Sequence, residues 1–428
     1  MCTFKITSLK QNLFLDKYLK LGGPTLTRSV VFDDITFTHN LLSVTGEVTP
    51  QPIERDGKLF FLLGEIYNYN RAYPSDIYTA IESYAEHGDR FTEYLDGEFL
   101  IIIYDKGKIH FFTDPWSTRM VWYTSIGDDF CFSTFPLSNN DERLLHNSHY
   151  CFDVKTRNLV QLNSELHKWD LNQTKSNFDD WHIAFNEAVV KRWNDNTVLA
   201  LSGGVDSSAI AVCMAENKLP FDAISLKIKD SEDKDTTDSV LTFVRSRVTI
   251  NLNVVDICSI PETGVEYDFL KRKSFHRNPP AVLAYETQKL HKKVLFTGHG
   301  SDEIYDNYRM KSHTRHNEPL EFDIWPDDLS SVFPYKHFYK HKQRYLIDSH
   351  EYMALCFGVE TRNPFLDKKL TQEWFSLSAE LKNLEDKSPQ KNYLRNHNII
   401  LPKKVSGLID QLPNRNPDMK ISYDVERF

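Results

Sequence analysis

The chain has 428 residues, 40% hydrophobic and 26% charged, with a formal net charge of −9. A chain of this size spans two or three domains and buries cores large enough to need no covalent staples. The negative balance without a polybasic block argues against duplex nucleic acid as a partner. No apolar run of about 18 residues is present, so no membrane-spanning helix is expected. The opening MCTFKITSLKQNLFLDKYLK lacks the apolar stretch and cleavage site of a signal peptide, which makes the cytoplasm the expected compartment. Cys2, Cys131, Cys151, Cys213, Cys258 and Cys356 are scattered, and no CxxC or zinc-like spacing occurs among them.

Residues 1–165 read as short strands: SVVFDDITFTH, KLFFLLGEIYNYN, GEFLIIIYDKGKIHFFTD and VWYTSIGDDFCFSTF. Aromatic and β-branched residues fill them, and Gly, Asp and Asn punctuate them. One helix interrupts, SDIYTAIESYAEHG, with Ser75 as its N-cap and Gly88 as its stop. This pattern suits layered antiparallel sheets. The polar stretch LNSELHKWDLNQTKSNFDD reads as a linker. From about residue 175 the texture alternates strand and helix. FDDWHIAFNEAVVKRW is a helix, and strands follow at 197–201, AISLKI, INLNVVDI and KVLFTG. Short buried strands alternating with helices predict a parallel, doubly wound sheet. The polar tail after Leu408 reads as loosely ordered.

The strongest signal is LALSGGVDSSAIA, Leu199 to Ala211. Ser202, Gly203 and Gly204 turn tightly after the strand and let backbone approach a ligand. Ser207 and Ser208 open the next helix, whose free N–H groups and dipole favour an anion. The hydroxyls of Ser202, Ser207 and Ser208 add donors. Asp206 would repel a bare phosphate, but it fits a Mg²⁺ that bridges to phosphates. No GxxxxGK[ST] occurs, which excludes a Walker loop. The segment resembles the SGGxDS loop of the PP-loop ATP pyrophosphatases, in which ATP is cut between its α and β phosphates and AMP goes to the substrate.

At the end of the KVLF strand comes Thr297-Gly298-His299-Gly300-Ser301-Asp302-Glu303. Ligands gather at the carboxyl ends of strands in open α/β sheets, so this loop should face the same crevice, with Asp302 as the second magnesium carboxylate. A third segment runs Phe357-Gly358-Val359-Glu360-Thr361-Arg362-Asn363-Pro364-Phe365-Leu366-Asp367, in which Glu360 and Arg362 also fit a plain ion pair. SGGVDSS, GHGSDE and GVETRNPFLD, in this order, resemble the synthetase domain of the asparagine synthetase family over about 175–400.

The resemblance implies ATP binding by Leu201, Ser202, Gly203, Gly204, Asp206, Ser207 and Ser208. Leu226 and Thr297–Gly298 would flank the adenosine, and Asp206 and Asp302 would hold magnesium. His299 departs from the acidic residue of asparagine synthetases and the Tyr of β-lactam synthetases, and is similar to some lasso-peptide cyclases. A histidine there suits proton removal from an attacking amine, with Glu360 orienting its ring. The family's Arg-x-Lys after Leu-Pro is missing: Lys403 and Lys404 come too early, and Asp410 falls near the place of the Lys.

In the N-terminal half, removal of Met1 would expose Cys2 as a nucleophile with its own amine as base. GEIYNYN, LDGEF and FTDPWSTRMVWY resemble stretches of class II glutamine amidotransferases. That implies glutamine binding by Gly64, Glu65 and Asp76. Leu63 stands where the family has its oxyanion Asn, and Leu41 where it has its glutamine-gripping Arg. Losing one oxyanion donor costs about 10²–10³ in rate.

The expected fold class is therefore α/β and α+β: an Ntn-type α-β-β-α sandwich over 1–165, then a doubly wound parallel-sheet ATP-pyrophosphatase domain over 173–428. The expected function is an ATP- and Mg²⁺-dependent amide-forming ligase with AMP and pyrophosphate as products. It would act on a small-molecule or peptide carboxylate, with glutamine or ammonia as nitrogen source. An amine nucleophile beside a degenerate glutaminase is the alternative, and a dead scaffold is a third reading that the intact Asp206, Asp302 and Glu360 oppose. Analogy with relatives suggests a homodimer.

Overall fold

The computed structural model describes residues 2–10, 13–138, 141–227, 238–256, 279–308 and 321–401. The tail after Leu408, with Lys403, Lys404 and Asp410, lies outside the described residues, as does His276-Arg277-Asn278.

Twelve strands build the N-terminal part. They are β1 (Thr3–Thr7), β2 (Leu26–Phe32), β3 (Ile35–Leu41), β4 (Ile53–Arg55), β5 (Lys58–Ile66), β6 (Gly97–Asp105), β7 (Lys108–Thr113), β8 (Trp122–Ile126), β9 (Asp129–Ser133), β10 (Glu142–Arg143), β11 (His149–Asp153) and β12 (Asn158–Asn163). They form two six-stranded sheets, β10-β8-β9-β1-β3-β2 and β12-β11-β7-β6-β5-β4. Every pairing among them is antiparallel. Alternation sets the layers. Leu59, Phe61 and Leu63 of β5 face the other sheet and meet Phe4, Phe37 and Phe132. Phe60 and Leu62 point the opposite way, onto Ile77, Ala80 and Ile81 of α2 (Ile77–His87). The first sheet is covered by Tyr18 and Leu19 of α1 (Asp16–Gly22). The result is the expected α-β-β-α sandwich. The α2 N-cap position is Asp76 rather than Ser75, one residue later than the sequence suggested, while Gly88 ends the helix at φ 58°.

Among the described residues the C-terminal part carries five parallel strands: β13 (Thr197–Ala200), β14 (Phe221–Lys227), β15 (Ile250–Asp256), β16 (Val294–Phe296) and β17 (Glu360–Arg362). Their order is β15-β14-β13-β16-β17. Sequence order thus reverses direction at β13, and β16 lies on its far side. The connecting helices are α3 (Asp179–Arg192), α4 (Val205–Glu216), α5 (Asp238–Arg245), α6 (Pro279–Lys289), α7 (Ser301–Ile304), α8 (Lys336–Tyr339), α9 (His341–Cys356), α10 (Lys368–Ser376), α11 (Ala379–Asn383) and α12 (Ser388–Asn396). The apolar helix α4 is buried along most of its length beside Leu199, Phe185 and Phe296. The segment read as a linker is pinned to this part: Trp169 Nε1 donates to Tyr339 Oη at 2.7 Å, and Lys175 bridges to Leu377. β17 was not foreseen as a strand.

Buried charges join the two parts. Arg192 Nε donates to Glu98 Oε1 and its Nη1 to Asp367 Oδ2, each at 2.8 Å. Arg119 Nη1 reaches Glu351 at 2.7 Å, and Arg362 Nε reaches Glu360 at 2.9 Å. Arg192 spans β6 and the start of α10, so it ties sandwich to parallel sheet. Removing one partner of a buried pair strands the other charge without water. Arg192→Ala is therefore expected to cost about 3–5 kcal/mol, read as a lower urea midpoint, whereas the exposed Arg55→Ala, which loses a pair to Glu82, should change the midpoint little.

Candidate active site

β13 and β16 are hydrogen-bonded parallel neighbours, with Leu199 opposite Phe296. The turns leaving their carboxyl ends therefore meet. Gly298 shows how closely: a Cβ there would lie 2.8 Å from Asp206 Cβ. Ser301 Oγ donates to Asp206 Oδ1 at 2.6 Å and so locks one turn to the other. The switch in strand order between β13 and β16 is where open α/β sheets form their ligand crevice.

In the first turn Gly203 takes φ 70°, a conformation few side chains tolerate. Ser207 Oγ accepts from the Ser202 N–H at 3.2 Å, and Ser202 Oγ accepts from the Gly204 N–H at 3.3 Å. Gly204 is the N-cap position of α4, without a side-chain cap, which leaves first-turn N–H groups for a ligand. The Ser208 hydroxyl is fully buried and unpartnered. Leu201 is buried beneath the turn and bonds through its N–H to Ile224 O at 2.9 Å. That bond places it beside the end of β14, on which Leu226 stands. Thr297 Oγ1 donates to Asn363 Oδ1 at 2.6 Å, so the first residue after β16 is held from β17.

Asp206 and Asp302 share one cation. Lys387 Nζ lies 2.5 Å from Asp206 Oδ2 and 2.8 Å from Asp302 Oδ1. Burial opposes the Lys387 charge, but the two carboxylates outweigh it and hold the ammonium well above its ordinary range. The geometry answers whether these aspartates suit a magnesium ion: a single cation already reaches both. Among the described residues no three His, Cys, Asp or Glu side chains converge for a metal. A Mg²⁺ here would complete its shell with phosphate oxygens and water. The sequence offered no motif for Lys387, which stands 181 residues from Asp206.

His299 is nine-tenths buried and its Nε2 has no partner. Its ring lies 4.5 Å from that of His350 on α9, centroid to centroid. Burial first, then His350, push His299 well below 6.5, with Asp302 opposing. Burial likewise pushes His350 down to about 4. Both imidazoles are thus neutral at pH 7. Glu360, expected to orient His299, is engaged elsewhere, in the pair with Arg362. Arg362 also lies 3.4 Å from Glu65 of the sandwich. Burial raises both carboxyls, but Arg362 and Arg119 help to outweigh it at Glu360, which falls to about 2. At Glu65 burial and the Glu360 charge prevail and push it up to about 8. The pair therefore holds one proton at neutral pH.

The N-terminal candidates Cys2, Glu65 and Asp76 are buried. Cys2 is buried in the same apolar cluster as Leu41 and Leu63. Burial pushes its thiol up to about 11. Asp76 Oδ2 accepts from the Ile66 N–H at 2.9 Å, and Gly64 takes φ 100° against the Glu98 carbonyl.

Residues 181–350 match the asparagine synthase family model. Three relatives are named as asparagine synthetases of the glutamine-hydrolyzing kind. The one from Arabidopsis thaliana, numbered 3, is 24% identical over 91% of this chain and 73% of its own length. The Zea mays protein is 23% identical over 91% and 72%. A Methanocaldococcus jannaschii protein, so named as a candidate, is 24% identical over 86% and 76%. Over most of its length the chain is similar to asparagine synthetases. A match over 91% of the chain reaches well beyond the family model, so the likeness extends into the sandwich. No helix among the described residues is long and apolar enough to cross a membrane.

Two measurements check these electrostatics. A thiol held near 11 is almost wholly protonated at pH 8, so Cys2 is expected to react with iodoacetamide far more slowly in the native protein than in urea. Glu65 has a folded value near 8 against 4.5 unfolded, so its contribution to stability is fully present below 4.5 and is lost as the pH rises through 8. Urea titrations at pH 5, 7 and 9 are therefore expected to show the wild type losing stability relative to Glu65→Gln as pH rises.

Proposed function

We propose that this chain is an ATP-dependent amide ligase that activates a carboxylate as an acyl-adenylate and passes the acyl group to ammonia or to an amine. The observation that carries the reading is the meeting of the two strand-end turns, with Asp206 and Asp302 close enough to share one cation. The unit 173–428 is taken as the ligase and the unit 1–165 as a degenerate amidotransferase-like domain.

A carboxylate oxygen of the acyl substrate attacks the α-phosphorus of ATP, and pyrophosphate leaves. Charge grows on the leaving group. The first-turn N–H groups of α4, which lacks a side-chain cap, and the hydroxyls of Ser202, Ser207 and Ser208 would stabilise an anion at the start of α4. Mg²⁺ held by Asp206 and Asp302 would supply neutralising charge to the phosphates. Leu201, Leu226 and Thr297–Gly298 would pack about the adenosine. In the second step the amine nitrogen attacks the acyl carbonyl and AMP departs. The attacking nitrogen must shed a proton. His299 Nε2, buried and unpartnered, is free to accept it.

Glutamine is disfavoured as the nitrogen source. Cys2 lies among Leu41 and Leu63 with its thiol raised, and Glu65 is occupied with Arg362. The names of the relatives favour the opposite reading, a glutamine-fed asparagine synthetase. Glutamate release from glutamine separates the two: it is expected at background and unchanged in Cys2→Ala. A Cys2-dependent rate would restore the glutamine-fed reading.

The ligase reading is tested with candidate carboxylates, Mg²⁺–ATP and an ATP–pyrophosphate exchange assay. Asp206→Ala is expected to lower exchange by about 10²–10³. His299→Ala is expected to keep exchange and lower amide formation by about 10²–10⁴. Since His299 is held neutral well below 6.5, the acid limb of amide formation should fall below that ordinary histidine value. Exchange that survives Asp206→Ala would defeat the reading.

A further inference from the structure

Lys387 is the one side chain that touches both aspartates of the crevice among the described residues. It is buried, and its backbone sits at φ 53°, ψ 42°. A lysine in the left-handed region is strained and persists only where its surroundings fix it. Here they do. Lys387 occupies the N-cap position of α12, and three residues on Gln390 Nε2 donates to Ser301 Oγ at 2.9 Å. Ser301 in turn donates to Asp206 Oδ1. Asp206 thus has one oxygen on Ser301 and the other on Lys387. The next residue, Ser388, is buried with its hydroxyl unpartnered.

A divalent cation between the same carboxylates needs the oxygens that the ammonium holds. Two cations within about 4 Å repel strongly in a buried site. Only one of them can therefore sit between Asp206 and Asp302. We propose that Lys387 is a resident cation of the two-aspartate site, one that keeps a free divalent metal out and admits it only together with a polyphosphate. The proposal rests on the metal reading given above. The polyphosphate supplies the exchange: its negative charge gives Lys387 a new partner when a metal takes the carboxylates. The site is thereby built before any metal arrives, and nucleotide-free protein does not sequester metal. Metal and nucleotide become positively coupled ligands, each raising the affinity for the other by the same factor.

The test uses the full chain, Mn²⁺ read by electron paramagnetic resonance, and α,β-methylene-ATP as the nucleotide. Wild type is expected to bind Mn²⁺ at least about tenfold more tightly with the analogue than without it, a coupling of about 1.4 kcal/mol. Lys387→Gln is expected to bind Mn²⁺ at least about tenfold more tightly than wild type without nucleotide, and to lose most of the coupling. Lys387→Arg, which keeps the charge, should behave as wild type. Equal Mn²⁺ affinity in nucleotide-free wild type and Lys387→Gln overturns the proposal while leaving the metal reading intact. Should Lys387→Gln fail to fold, wild type decides alone: Mn²⁺ affinity that does not respond to the analogue also overturns it. If Asp206→Asn binds Mn²⁺ and analogue as wild type does, the metal reading itself falls, and the proposal with it.

Discussion

Because β13 and β16 run side by side in parallel, the chain cannot leave their carboxyl ends without bringing two turns together. The rest of the site depends on that constraint. Ser202–Ser208 and Thr297–Glu303 are almost a hundred residues apart, yet one hydrogen bond from Ser301 to Asp206 joins them. A side chain at Gly298 would push them apart, since its Cβ would meet that of Asp206 at 2.8 Å. The neighbouring β17 then fixes the second turn from outside, through Asn363 on Thr297 and the Arg362 carbonyl on the Thr297 N–H. The sheet does the positioning, and the turns contribute little regular structure of their own.

β17 also explains the third motif. Glu360 and Arg362 lie on one face of a buried strand, one residue between them, and that face looks toward the sandwich. Their charges belong to a buried lattice with Arg119, Glu98, Arg192 and Asp367. Such pairs are weak evidence of net stability, since desolvation offsets much of the attraction. What they do fix is mutual position. A charge left single in this interior is far more costly than the pair, so the sandwich can sit on the parallel sheet in few ways. Glu65, which the sequence offers as a glutamine-binding residue, faces Arg362 of the other half of the chain at 3.4 Å.

Much of this was legible in the sequence. Strand–turn–helix texture located β13, β14, β15 and β16, and aromatic and β-branched runs located β2, β3 and β5 to β9, but β1, β4, β10, β11 and β12 were not read as strands. SGGVDSS and GHGSDE announced the crevice because their glycines, hydroxyls and carboxylates each have a local reason to be there. The misses are of another kind. β17 has only three residues, too short for any period to show. His350 lies inside a helix, where nothing local distinguishes it from a core residue. Lys387 stands in a charged stretch, LEDKSPQK, and reads as solvated surface until the fold buries it against two aspartates. Contacts made across long separations leave no local pattern, and the residues that complete this site are of that type. Glu360 forms with Arg362 the plain ion pair that the sequence also allowed.

If the chain is the amide ligase proposed above, the histidine pair narrows what its second substrate must bring. Burial depresses both rings, and Asp302 acts on His299 only against burial and His350. A neutral imidazole so depressed is a poor acceptor for a proton on a free alkylammonium, whose own acidity is several units weaker. It becomes a competent acceptor once the carbon–nitrogen bond has begun to form, because the nitrogen then carries positive charge beside an electron-poor carbon and its acidity rises sharply. The arrangement therefore favours a nitrogen that reaches the crevice already uncharged. Lys387 presses in the same direction, since a second ammonium near Asp206 and Asp302 would meet a site whose negative charge is already matched. On the ligase reading proposed above, both features would select against cationic amines in the resting crevice.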